Sequence, residues 1–152
     1  MKKFTHIDSG GKIKMVDVSD KKKTKREAIA SGKITMRPQT VSAVLDEKLP
    51  KGNVLTTAKL AGIHAAKQTA MLIPLCHPIA LNWIDIQIEN ETDGFRIEAL
   101  VRANDSTGVE MEALTAVAVT ALTLYDMCKA VDKTMQIGDV RLLKKTGGKS
   151  GQ

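Results

Sequence analysis

Aromatic residues are scarce in this 152-residue chain: Phe4, Trp83, Phe95 and Tyr125 are the whole set, 3% of the length. A core of this size must then be aliphatic, built from Val, Ile, Leu, Ala and Met, and base-stacking platforms of the kind that bind single-stranded nucleic acid are missing. Cysteine is scarcer still. Cys76 and Cys128 are too few for a disulfide scaffold or a cysteine-based zinc site, which points to a reduced, cytoplasmic protein. Long apolar runs are also lacking. The longest uncharged stretch, Ala113 to Tyr125, has 13 residues and includes Thr115, Thr120 and Thr123, short of the roughly 20 that a membrane-spanning helix needs. Lys2 and Lys3 are followed by His6, Asp8, Ser9 and two glycines, where a secretory signal would place its apolar core.

The remaining composition, 43% hydrophobic and 26% charged, is that of one globular domain spanning residues 1–152, with 1–14 and 144–152 expected to be flexible. Charge is segregated. Residues 1–51 carry 13 Lys/Arg against 6 Asp/Glu, residues 52–140 carry 6 against 11, and residues 141–152 carry 4 against none. A basic head and tail thus flank an acidic middle. Solvated termini account for Lys21, Lys22, Lys23 and Lys25; convergence of the two basic ends on a small anion is the sharper alternative. No helix carries a basic stripe and no apolar run is long enough to span a membrane, so neither nucleic acid nor a membrane is an expected partner.

Periodicity outlines the elements. Met15-Val16-Asp17-Val18 is a short strand candidate, and Arg26 to Met36 is ambiguous between strand and helix. Pro38 suits the first turn of a helix over 38–47, and Asn53 is a good N-cap for a second helix reaching about Met71. Ile84, Ile86 and Ile88, then Phe95, Ile97, Ala99 and Val101, alternate with polar residues around a turn at 91–94, the pattern of a half-buried hairpin. A long helix from Thr107 to Asp132 and a last strand, Met135 to Leu143, complete an α+β order with helices on one face of an antiparallel sheet. The middle of the long helix has no charged face, so a second copy of the chain is expected to cover it.

Four segments could carry chemistry. Lys51-Gly52-Asn53 precedes a helix N-terminus, which offers free N–H groups to a phosphate; an ordinary turn explains it equally. Leu75-Cys76-His77-Pro78 holds a histidine stiffened by the following proline, either a site group or a satisfied core histidine, beside a cysteine read as packing. Thr107-Gly108-Val109-Glu110 reads as a capping box that gives Glu110 a structural role, whereas Glu112 lies across the helix without such a role and needs a partner. Asp126 and Lys129 are three apart and can pair on one face; a surface pair of this kind is worth under about 1 kcal/mol, but its place beside the uncharged run predicts partial burial. The tail 144–151 fails as a P-loop because Leu143 stands where the first glycine belongs. No metal and no cofactor is expected, since His6, His64 and Cys128 show no ligand spacing to His77.

These segments together resemble the molybdenum cofactor biosynthesis protein C family, the cyclic pyranopterin monophosphate synthases. The carrying residues are Thr5-His6-Ile7, Met15 to Val18, Lys51-Gly52, Leu72 to Pro78, Thr107 to Thr115, Leu124 to Val131, and Val140 to Leu143 with the Gly-Gly-Lys-Ser-Gly tail. The resemblance implies a ferredoxin-like α+β subunit in a hexamer of three dimers, with active sites between subunits. It implies a lyase that converts a cyclised dihydro-GTP, supplied by a radical-SAM GTP cyclase, to cyclic pyranopterin monophosphate with release of pyrophosphate. It implies catalysis at Asp126, Lys51 and Lys129, and substrate contacts at Leu75, Cys76, His77, Met111, Glu112 and Lys145. Asn53 departs from the aspartate common there. The alternative is a non-enzymatic oligomeric module that binds a nucleotide or phosphate; a metal-dependent hydrolase would instead be inhibited by chelators.

Overall fold

Every second residue of the first strand is small or apolar, and that alternation sets the architecture. In the computed structural model, which describes residues 5–148, β1 (Thr24–Thr35) turns Ala28, Ala30, Gly32 and Ile34 inward, and all four are buried. The ambiguous segment is therefore a strand: its β-branched and small residues fit a pleat, and its inward set recurs with period two. The chain continues through α1 (Pro38–Leu45), α2 (Val54–Lys67), a one-turn α3 (Thr69–Leu72), β2 (Leu81–Glu91), β3 (Gly94–Asp105), α4 (Glu110–Cys128) and β4 (Gln136–Thr146).

The four strands form one antiparallel sheet in the order β2-β3-β1-β4. β1 pairs with β3 along its whole length, from Thr24 opposite Asp105 to Thr35 opposite Gly94. The β2–β3 hairpin turns at Thr92 and Asp93, as the alternation predicts. Gly94 is required there: a Cβ would lie 2.0 Å from the Ile34 carbonyl oxygen of the neighbouring strand. Against β4 the register of β1 slips twice, between Ile29 and Ala30 and between Ser31 and Lys33, and Asp139 takes a left-handed φ of 54° in that bulged region.

The inward face of the sheet, Ile34, Ile86, Phe95, Ile97 and Val101, packs against one layer of helices, α4 over β1, β3 and β4 and α2 over β2. Side chains on the opposite face are largely charged, with Glu27, Lys33, Arg96, Glu98 and Arg102 in ion pairs or solvent. α4 is long and apolar enough by length and composition to cross a membrane, but half of its most apolar window is buried in this fold. Its face toward the sheet and α2 is Ala113, Ala116, Val117, Thr120, Ala121 and Leu124. Leu122 is 58% exposed on the far side, and Leu60 of α2 is 61% exposed, so large apolar side chains remain open on one chain.

Several boundaries differ from the sequence expectation. Met15–Val18 is not a strand; no neighbour pairs with its backbone in the sheet, and it runs as an irregular segment. The second helix stops at Lys67, because Gln68 leaves helical geometry and α3 restarts separately. α4 begins at Glu110 with Val109 as its N-cap and makes no side-chain cap, so the capping box is not formed. With Glu110 the first helical residue, its side chain is too early in the turn to reach back as a box requires. The same helix ends at Cys128, before Asp132. β4 extends to Thr146, which puts Lys144 and Lys145 in the sheet. Near the N-terminus, Ile7 and Ile13 form an isolated bridge around a turn held by the Asp8 carboxylate. Residues Lys149-Ser150-Gly151 of the glycine-rich tail lie outside the described residues.

α2 meets α4 at Gly62, where a Cβ would stand 2.1 Å from Thr120 Oγ1 and 3.0 Å from the Ala116 carbonyl oxygen. Helices with no room to part cannot absorb a methyl group. Gly62→Ala is expected to destabilise the fold by about 1–3 kcal/mol despite its better helix propensity, and urea unfolding checks the sign.

Candidate functional site

Lys51 is placed by a loop with unusual backbone geometry. α1 ends at Leu45, and Glu47 then takes a φ of 54° and Gly52 a φ of 87°, the second a conformation natural to glycine. Buried Leu49 anchors the loop to the core. Asn53 closes it: its Oδ1 accepts from Thr56 N at 2.9 Å, capping α2 as expected, and its Nδ2 donates to Glu47 Oε1 at 2.8 Å. An aspartate at 53 would cap equally well but could not donate to Glu47. The result is that Lys51 Nζ reaches the far end of α4, donating to the Asp126 carbonyl at 3.0 Å and to its Oδ2 at 2.9 Å. That carbonyl lies in the last turn of the helix, where carbonyls lack partners within the helix and the helix dipole favours cations.

Lys129 approaches the other carboxylate oxygen of Asp126 at 2.7 Å. Lys51, Asp126 and Lys129 are thus one cluster. Lys129 and then Lys51 hold the Asp126 carboxyl down at about 2, and Asp126 in turn raises Lys129 above its ordinary value. Two ammonium groups share one carboxylate, so the cluster keeps a net positive charge and unused N–H donors. Asp126 is 54% exposed rather than partly buried, because Leu124, Met127 and Cys128 of the same turn take the core side and leave Asp126 on the solvent side, where Lys51 meets it.

The turn after α4 is fixed by Asp132, which the sequence reading did not single out. Its side chain is fully buried. One oxygen accepts from Arg37 N and Thr40 Oγ1, both at 2.9 Å, and the other from Thr134 N and Thr134 Oγ1 at 2.9 and 2.7 Å. Arg37 also donates to the Val131 carbonyl. Asp132 therefore supplies α1 with the cap that Arg37 lacks, and joins the element leading to Lys51 to the turn that follows Lys129.

A second group lines a cleft of about 470 Å³ at the opposite end of α4. Leu75, Cys76 and His77 enter it from the loop before β2, Met111 and Glu112 from the first turn of α4, and Thr5, His6, Val16, Val18 and Lys21 from the N-terminal segment. His77 Nε2 lies 2.8 Å from the Val16 carbonyl oxygen, which tethers that segment over the cleft. Burial, followed by the charges of Glu112 and Glu110, pushes the Cys76 thiol up, which makes it a poor thiolate nucleophile. Burial pushes the Cys128 thiol up to about 11. Glu112 is 4% exposed; burial above all, then the Glu110 and Asp105 charges, hold its carboxyl at about 7. Lys145 donates to Glu110 Oε1 at 2.8 Å at the rim. Glu110 is thus a cleft residue and not a cap; an acidic first turn facing an apolar cysteine–histidine loop was its signal.

The two groups do not meet within one chain. Glu112 and Asp126 are fourteen residues apart on a continuous helix, about 21 Å at 1.5 Å per residue. A second cleft, about 540 Å³ and bounded by Lys25, Arg26, Asn82 and Arg102, contains none of the expected site residues; its Glu27 is already shared by Arg102 and Lys144.

The sequence pattern of the MoaC family matches residues 15–148. A molybdenum cofactor biosynthesis bifunctional protein of Chlorobaculum tepidum is 60% identical over 147 residues, 97% of this chain and 47% of that protein, so the chain spans about half the length of that relative. A cyclic pyranopterin monophosphate synthase of Desulfatibacillum aliphaticivorans is 55% identical over 100% of this chain and 97% of its own. One from Chloroflexus aurantiacus is 55% identical over 97% of this chain and 92% of its own.

Asp132→Asn leaves one amide N–H₂ facing the donors that now point at a carboxylate oxygen. It is expected to cost about 2–3 kcal/mol at neutral pH. Burial alone would push the Asp132 carboxyl up, but the hydrogen bonds from Arg37, Thr134 and Thr40 outweigh it and hold the carboxyl well below the usual carboxylate range. A carboxyl lowered by folding stabilises above its unfolded value near pH 4 and loses that contribution as pH falls. The gap between wild type and variant should therefore narrow in acid, measured by urea unfolding at neutral pH and at about pH 3.

Proposed function

The chain belongs to the MoaC family, and on that premise we propose that it works as a cyclic pyranopterin monophosphate synthase. It takes a cyclised dihydro-GTP, releases pyrophosphate and forms cyclic pyranopterin monophosphate, an early step of molybdenum cofactor biosynthesis and a phosphorus–oxygen lyase reaction. The observation that carries the reading is the Asp126 carboxylate held between Lys51 and Lys129. As pyrophosphate departs, negative charge develops on the oxygen that joined it to the α-phosphorus, and ammonium groups already aimed at one place stabilise that charge without reorganising. Asp126 holds both lysines in place when no substrate is bound.

Ring opening and reclosure belong to the cleft. Leu75, Cys76, His77, Met111 and Glu112 make its substrate wall, and Lys145 joins them through Glu110. Because a rigid helix separates this wall from the lysine cluster, one substrate engages the cleft of one subunit and the lysines of another. Homo-oligomerisation then serves chemistry directly. The assembly is a hexamer built as a trimer of dimers from ferredoxin-like subunits, and the exposed apolar side chains Leu60 and Leu122 support burial between copies. The protein works in the cytoplasm, downstream of a radical-SAM cyclase acting on GTP.

Purified protein given cyclised dihydro-GTP is expected to yield pyrophosphate and a pterin in equal amounts. Lys51→Ala and Lys129→Ala should each lower turnover by roughly a hundredfold or more. Tight binding of the nucleotide with no product would instead leave a binding module. Shared sites predict complementation: Lys51→Ala chains refolded together with His77→Ala chains should recover about a quarter of wild-type sites, as random pairing of half-sites between symmetric copies requires. Mixtures as inactive as their parents would mean that each site is built within one chain.

A further inference from the structure

Ring opening needs a proton, and the lysine cluster is a poor place to find it. Lys51 and Lys129 both donate to Asp126, and on the synthase reading the pair that a neighbouring copy brings to the cleft meets the departing pyrophosphate. The cleft holds few other acids. His77 contacts the Val16 carbonyl, the Cys76 thiol is shifted away from ionisation, and Glu110 is ion-paired to Lys145 at 2.8 Å. Glu112 differs from all of these. It is 4% exposed on the cleft wall and, among the described residues, has no ion pair and no side-chain hydrogen bond to another group. Its carboxyl oxygens are not sealed in the core but open on the cleft without a protein partner, where a bound molecule can meet them.

We infer that Glu112 is a catalytic residue, the general acid that protonates a ring nitrogen of the purine-derived substrate as its ring opens. The inference rests on the synthase reading. In the step, a carbon–nitrogen bond breaks with its electron pair passing to nitrogen, and the Glu112 carboxyl proton goes to that nitrogen. Water adds its oxygen to the carbon, and the proton it loses restores the carboxyl group.

The surroundings keep this acid protonated. From its own helix Glu110 faces it, from the end of β3 Asp105, and from the loop before β2 the neutral thiol of Cys76 beside His77. His6 and Lys21 of the N-terminal segment line the same cleft, and the cation of β4, Lys145, is paired with Glu110. Burial and the two carboxylates hold Glu112 at about 7, where an acid is both available and strong enough to act at neutral pH. Glu110 is the positioning residue of this arrangement. Its Oε2 is buried without a hydrogen-bond partner, in space that a Cβ on residue 108 would enter at 2.1 Å. Gly108 therefore lets that carboxylate fold back against the chain, where water screens its charge little and the charge bears on Glu112.

The test is kcat and KM for pterin formation from cyclised dihydro-GTP by the full chain between about pH 5.5 and about pH 9. Wild-type kcat should fall as pH rises through a limb near 7. Glu112→Gln should lower kcat roughly a hundredfold with KM within about threefold, and abolish the limb. Glu110→Gln removes a negative neighbour, which lowers the affinity of Glu112 for its proton. An acid must be protonated to act, so the limb should move to lower pH. A burial role alone would move neither limb. Wild-type turnover together with a Glu112→Gln enzyme that keeps its kcat and its limb removes the role and leaves the synthase. If that variant fails to fold, a limb unmoved in Glu110→Gln removes the role by itself. A wild type that forms no pterin at any pH removes the reaction and this role together.

Discussion

The packing of α4 against β1 and β3 is the contact on which the rest of the chain depends. Its buried side, Ala113, Ala116, Val117, Thr120, Ala121 and Leu124, is mostly small, so the helix lies close to the sheet on one side and to α2 on the other. Gly62 is the matching concession in α2. Because α4 is clamped from both directions over most of its 19 residues, it behaves as a rod. Both candidate groups are attached to its ends, and their separation is set by helix geometry rather than by loops.

That rod also sorts charge. Glu110 and Glu112 stand at its N-terminal end, where free N–H groups favour anions; Lys51 and Lys129 gather at the C-terminal end, where free carbonyls favour cations. The helix favours both arrangements, yet the two ends are treated differently by solvent. Asp126 and its lysines are half exposed, so their mutual attraction is screened and adds little to stability. Glu112 is enclosed, so its neighbours act on it strongly. The exposed end is suited to meeting an anion that arrives with its own charge, the enclosed end to moving a proton.

Much of this was legible in the sequence, for identifiable reasons. The hairpin strands have side chains that alternate between core and solvent, and Asn53 has the side chain that caps a helix start, whereas β1 alternates too weakly to be told from a helix by pattern alone. The clustering of Lys51 with Asp126 and Lys129, and of Leu75 to His77 with Met111 and Glu112, agrees with the grouping implied by family resemblance; local spacing alone suggested only the Asp126–Lys129 pair. What local spacing could not show was tertiary. Thr107 to Glu110 has the letters of a capping box, but the strand before it delivers the chain so that Val109 is the cap. Met15 to Val18 alternates like a strand and finds no edge to join. Asp132 looked like the last residue of the long helix, because its four donors come from Arg37, Thr40 and Thr134, two of them nearly a hundred positions away in the chain.

The separation between the two ends bears on why such a chain should assemble at all. Leu60 and Leu122 leave apolar surface open, and covering it would stabilise any oligomer. Stability alone, however, would be served equally by polar substitutions on that face. On the proposed reading the stronger constraint is chemical. A helix stiff enough to fix Lys129 and Glu112 also keeps them apart. Only a neighbouring copy can bring a lysine cluster to a cleft. An interface that completes a site is then selected through turnover, and the uncharged face of α4 follows from that requirement.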